Sequence, residues 1–94
     1  MTANNKIIIT ISGTDKVGIV AKVATILAEC NVNIEDIKQT LMQGHFVMFM
    51  LCGISNANRP FKEIKETLQE ECKKLEMEVW VQRKEIFDAM HTVG

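Results

Sequence analysis

The sequence predicts one small α+β domain with the element order β-α-β-β-α-β and a short helical tail. Three observations carry that prediction. Four runs of strand type, rich in Ile, Val, Phe and Trp, are spread along the chain. Between the first and second, and between the third and fourth, apolar residues recur with helical spacing. A Gln43-Gly44 pair separates the second run from the third, which is a hairpin signal.

The stretch Lys6 to Ser12 reads as the first strand, with Ile7, Ile9 and Ile11 on one face and Ile8, Thr10 and Ser12 on the other. It runs into Gly13-Thr14-Asp15, which are turn and cap residues. From Gly18 to Cys30 the period becomes helical. Ile19, Val20, Val23, Ile26, Leu27 and Cys30 fall within about 120° of one another, with Lys22, Thr25 and Glu29 opposite. Asp15 is placed to cap this helix, and Asn31 to stop it in a left-handed turn that folds Val32 back onto it. In the second strand, Asn33 to Met42, Ile34 and Ile37 stand three apart, which breaks alternation and predicts a bulge near Glu35-Asp36. The third strand, His45 to Ile54, is apolar on both faces, as an interior strand is. After a loop at Asn56 to Arg59, Pro60 suits a first helical turn. Phe61, Ile64, Leu68, Cys72 and Leu75 then form a stripe, with Lys62/Glu66 and Glu70/Lys74 on the wet side. Met77 to Arg83 closes the order, with Met77, Val79 and Val81 on one face and Trp80 on the other.

A thirteen-residue helix spans ~20 Å and a seven-residue strand ~23 Å, so the elements match in length. Right-handed crossovers place both helices on one face of a four-stranded antiparallel sheet, the ferredoxin-like arrangement. The sheet face away from the helices then carries Ile8, Trp80 and either Phe46-Met48-Met50 or Val47-Phe49-Leu51, a large apolar surface for one layer. The tail adds Ile86, Phe87, Met90 and Val93. Either this tail folds over the open face or a second subunit covers it, and a homodimer is the expectation.

Composition narrows the function. Hydrophobic residues at 47% and charged residues at 24% describe a folded globule rather than a disordered chain. Basic and acidic residues nearly cancel at a net charge of −1, and neither half of the chain is basic. That excludes the electrostatic footprint of non-specific nucleic-acid binding. No signal peptide or membrane-length apolar run is visible, so no membrane association is expected. Cys30, Cys52 and Cys72 form no CxxC pair, which points to small buried hydrophobes in a reducing, cytoplasmic setting.

Chemistry concentrates where the first strand hands over to the first helix, at Ser12-Gly13-Thr14-Asp15-Lys16-Val17-Gly18-Ile19-Val20. Free N–H groups and the helix dipole make such a junction an anion site. Gly13 and Gly18 are five apart as in a P-loop, but Ile19-Val20 stand where that motif needs Lys and Ser or Thr. A nucleotide phosphate is therefore excluded. A smaller anion such as an amino-acid carboxylate remains, beside the alternative of a capped turn without a ligand.

The run Asp15 to Ala21, with Leu27-Ala28-Glu29 and Asn31-Val32-Asn33-Ile34, resembles the signature of the ACT domain. The resemblance covers about Lys6 to Arg83, and is greatest to small, uncharacterised proteins consisting of one such domain, related to the halves of the glycine cleavage transcriptional repressor. It implies a single domain over residues 1–94, with its core at about 6–83 and a tail at 84–94. It also implies a non-catalytic regulatory module that binds an amino acid or similar small ligand where two ACT domains meet. Asp15, Lys16, Val17, Gly18 and Ile19 would form one wall of that site, and Asn33 and Ile34 of the neighbouring domain the other. Val17 stands where the family often has Pro, and Asp15 where some members have Asn. Signalling would pass to an effector protein, and no cofactor is implied. The alternative is a dimerisation or interaction module without a ligand.

Other candidates are weaker. His45 and His91 lack ligands at metal spacing. Glu35-Asp36, the one adjacent acidic pair on a strand, offers too few oxygens for a hard cation. Gly44 to Phe49 echoes an RNA-recognition motif, yet Gln43 precedes it and Phe46 and Phe49 point to opposite faces. Acylphosphatase-like and copper-chaperone chemistry would need an Arg-bearing phosphate loop or a CxxC.

Overall fold

The computed structural model describes residues 5–14 and 18–91. Its order is β1 (Lys6–Thr14), α1 (Ile19–Glu29), β2 (Asn33–Met42), β3 (His45–Gly53), α2 (Phe61–Lys74), β4 (Glu78–Arg83) and α3 (Lys84–His91). The sheet runs β2-β3-β1-β4 with every neighbouring pair antiparallel. That is the ferredoxin-like arrangement read from the sequence. Extents of 39 × 37 × 19 Å are those of a slab one sheet and one helix layer thick.

The core lies between sheet and helices. Ile7, Ile9 and Ile11 of β1 and Met48, Met50 and Cys52 of β3 are fully buried. Val23 and Leu27 of α1 and Ile64 and Leu68 of α2 meet them with no exposed surface. Met77, just before β4, and Val81 complete this layer. Lys22 of α1 reaches Glu71 of α2 at 3.3 Å, and Arg83 stacks 4.6 Å above the Phe61 ring.

Both helix ends are built alike. Asn31 stands at φ 58°, its N–H donates to Ala28 O, and Val32 N–H donates back to Leu27 O at 2.9 Å. This left-handed stop with its apolar partner is the one expected. At the end of α2, Glu76 at φ 60° does the same, with Met77 N–H on Cys72 O at 2.9 Å. At the hairpin, Gln43 and Gly44 both have positive φ, 53° and 81°, as a tight turn matched to sheet twist requires.

Some details differ from the sequence reading. The first strand continues through Gly13 and Thr14, because β3 starts directly after the hairpin and offers them Phe46 and His45 as partners. Pairing satisfies their backbone groups and outweighs turn propensity. Pro60 sits at the N-cap in extended conformation, one residue ahead of the helix, where its carbonyl accepts from Glu63 and Ile64. Lys74 bonds Glu71 at 3.1 Å rather than Glu70. The proposed cap Asp15 lies outside the described residues, as do Val93 and the side chains of Met42, Met90 and His91.

The bulge is where the Ile34/Ile37 spacing places it. Ile34 pairs with Cys52 and Asp36 with Leu51, so Glu35 is the extra residue and has no partner on β3. Phe46, Met48 and Met50 face the helices, which leaves Val47, Phe49 and Leu51 on the open face. There α3 packs on β1 and β4, and Phe87 comes over Ile8 and Leu51. Phe49 and Trp80 remain 38% and 49% exposed. Among the described residues, α3 thus covers one end of this face and leaves the middle open.

Candidate functional site

The residues expected to bind a ligand fall at the two ends of α1. At its start, Gly18 has φ 96° and serves as N-cap without any side-chain hydrogen bond. A side chain there would meet nothing within 4 Å among the described residues. A Cβ would nevertheless strain this left-handed backbone by roughly 1–2 kcal/mol. Gly18 O accepts from Lys22 N–H at 2.9 Å, whereas the N–H groups of Ile19, Val20 and Ala21 belong to the first turn and have no carbonyl within the helix. The Ile19 side chain is 2% exposed and faces the core, so it can offer a ligand only its backbone. Asp15, Lys16 and Val17 lie outside the described residues.

At the other end, Asn33 begins β2 and is exposed, while Ile34 is half-buried against the core. An eleven-residue helix, ~16 Å long, separates Asn33 from Gly18. One protomer therefore does not bring the two groups together.

Beside Asn33 lies a polar pocket of about 420 Å³, which also involves Asn31, Glu35, Gly53, Ser55 and Asn56. The sequence marks Glu35 as a bulge position and as half of an acidic pair, but not as a pocket residue. The bulge separates that pair, with Glu35 meeting Lys6 Nζ at 2.5 Å and Asp36 opposite Leu51 of the open face. The signal was the broken alternation itself, since a bulge re-aims one side chain. No group of three or more His, Cys, Asp or Glu able to hold a metal occurs among the described residues.

Elsewhere, electrostatics is local. Lys74 and Lys22 hold the Glu71 carboxyl below the usual range by hydrogen bonding. All three cysteines are free and buried. Burial, aided by the Glu35 charge, pushes the Cys52 thiol up to about 12, and burial with Glu71 pushes Cys72 up to about 11. The thiolate is the reactive form, so these two thiols are inert while the fold is closed. At pH 8, Cys52 and Cys72 are expected to resist a disulfide reagent that labels the urea-unfolded chain at once. Prompt labelling of either would mean that its strand or helix opens locally. Since folding raises both values, the stability they contribute is whole below pH of about 9 and declines as pH climbs towards 11 and 12.

Comparison with known proteins fits this geometry. The ACT domain family model matches residues 5–82. A UPF0237 protein of Listeria innocua is 46% identical over 84 residues, covering 89% of this chain and 94% of its own. The solved structure of an ACT domain protein from Streptococcus pneumoniae superposes with a TM-score of 0.76 at 35% identity, over 92% of this chain and 97% of that one. A candidate glycine cleavage system transcriptional repressor has the same fold, with a TM-score of 0.73 at 24% identity, over 83% of this chain and 44% of its own.

Proposed function

The chain belongs to the ACT domain family, and on that premise we propose that it is a non-catalytic regulatory module binding an amino acid or similar small ligand between two copies of itself. The observation that carries this reading is the placement of Gly18 and Asn33 at opposite ends of α1 and the edge strand. A two-fold, antiparallel pairing of two β2 strands sets the start of one against the end of the other. Gly18 of one protomer then approaches Asn33 of its partner. Backbone N–H groups at the helix start receive the ligand carboxylate, and the Asn33 amide oxygen accepts from its ammonium.

The edge strand supports the pairing. β2 is ten residues long and lies at the sheet edge, and its helix-side residues Ile37 and Leu41 are 38% and 61% exposed. A ligand gripped by both copies favours the dimer geometry that fits it, and a partner protein reads that geometry. The free, buried thiols fit a reducing compartment such as the cytoplasm. Among the described residues no helix is long and apolar enough to cross a membrane.

Thermal unfolding against the twenty amino acids and a few keto acids tests the reading. A ligand at ~100 times its dissociation constant adds about 2.7 kcal/mol, a rise of roughly 10 °C for a domain of this size. Gly18→Val should remove that rise while leaving the dimer intact. No rise with any compound would instead favour an interaction module without a ligand, for which Phe49 and Trp80 supply an exposed face.

A further inference from the structure

We infer that the polar pocket at the start of β2 is a binding site for a primary ammonium group, with Glu35 as its acceptor and the Lys6 ammonium, paired with that carboxylate, as the competing cation. The inference deepens the functional reading by adding Glu35 to Asn33 as an acceptor for the amine of the ligand. The pocket is complete within one protomer, so it stands or falls independently of any dimer.

Two features of the chain put a carboxylate there. Glu35 is the unpaired bulge residue, released from the ladder between Ile34 and Asp36. Its side chain lies across Gly53, where a Cβ would come within 2.7 Å of Oε2. A regular strand, or any other residue at position 53, would displace the carboxylate. Both the bulge and the glycine serve this one placement.

The surroundings select for an ammonium. Lys6 Nζ lies 2.5 Å from Glu35 Oε1, which demonstrates the charge the position accepts. No second hydrogen bond to Glu35 occurs among the described residues. Asn31 gives Nδ2 to Asn56 O at 2.7 Å, which fixes its amide and turns Oδ1 to other donors. Asn33 and Ser55 add an amide and a hydroxyl to the lining. The end of α1 contributes the negative pole of its dipole, although Asn58 already caps Glu29 O and Cys30 O. A divalent cation needs more carboxylate oxygens than this pocket has. A primary ammonium, compact and with three donors, matches one carboxylate flanked by neutral oxygens.

Lys6 is the competitor a ligand must displace. The Lys6 and Glu35 side chains are 38% and 27% exposed, so water screens their pair and exchange is easy. Removing Lys6 should therefore strengthen binding, a result that no merely structural role for the ion pair produces.

The test follows backbone amides of Asn33, Gly53 and Ser55 by NMR during titration with three four-carbon probes: n-butylamine, butyrate and L-2-aminobutyrate. Butylamine and aminobutyrate should shift these amides and butyrate should not, with tighter binding of aminobutyrate marking an amino acid as the source of the amine. Lys6→Met should tighten binding severalfold, and Glu35→Gln should weaken it at least tenfold in a spectrum that stays dispersed. Equal shifts with butyrate, unchanged affinity in Glu35→Gln, or weaker binding in Lys6→Met would each overturn the assignment. An amino acid that stabilises the protein without moving these amides would defeat this site alone. Butylamine binding here with no stabilising amino acid would defeat only the wider functional reading.

Discussion

Replacing Leu27 with alanine is expected to lower the midpoint of thermal unfolding by roughly 10–20 °C. Leu27 has no exposed surface, and it stands on the face of α1 that carries Val23 and Ile26 into the sheet. Its carbonyl also receives Val32 N–H, which ends the helix. Truncation removes buried contacts and leaves a cavity between α1 and the sheet, at a cost of about 2–5 kcal/mol. A domain of this size has a total stability of only about 5–15 kcal/mol. The backbone hydrogen bond at the helix end survives the change, so the loss reports on packing alone. A shift of only a degree or two, measured by circular dichroism, would mean that α1 is not seated on the sheet as described.

Much of this fold could be read from residue spacing, because spacing records which side chains must be buried. Ile7, Ile9 and Ile11 announced their common face, and all three are fully buried. Ile34 and Ile37 can share a face only if an extra residue intervenes, and Glu35 is that residue. Asn31 tolerates left-handed backbone and takes it. The misses arise where tertiary pairing overrides local preference. Gly13 and Thr14 look like turn residues but find strand partners in β3. Glu76 has no intrinsic reason to be left-handed, yet the burial of Met77 at 4% exposure requires the chain to turn there.

The site was less legible than the fold. Gly18 stood out because glycine at a strand-to-helix junction has a backbone reason, and its φ of 96° supplies that reason. Ile19 was legible as part of the apolar face of α1 and is buried there, which leaves only its backbone to a ligand. Glu35 was legible as a bulge residue, but its surroundings were not. Its position depends on Lys6 and Gly53, distant in sequence and close only once β1, β2 and β3 are aligned. No local pattern encodes such a meeting.

Reversing one charge on β2 is expected to weaken the proposed dimer roughly thirtyfold, and reversing two opposite charges together to restore it. In a two-fold antiparallel pairing centred on Ile37, Asp36 of each copy faces Lys38 of the other. Neither residue has an ion-pair partner among the described residues. Asp36 Oδ1 accepts from the Ile37 N–H at 2.9 Å, so the edge donor at the centre of the strand is covered by the chain's own carboxylate. Pairing would pass that N–H to a carbonyl of the second copy and release Asp36 for Lys38. Each direct cross-strand pair of opposite charge contributes about 0.2–1 kcal/mol, and like charges cost a similar amount. Asp36→Lys converts two attractive pairs into two repulsive ones, a change of about 2 kcal/mol. Lys38→Asp does the same with opposite sign. The double variant Asp36→Lys/Lys38→Asp recreates both pairs, so sedimentation equilibrium should return its dissociation constant to near that of the unaltered protein. The two single variants should also respond to salt in the opposite direction, since screening relieves their repulsion but weakens the native attraction. A double variant as weak as either single one would place the axis at another register, and an unaltered chain that stays monomeric at every concentration would remove the β2 edge as the seam.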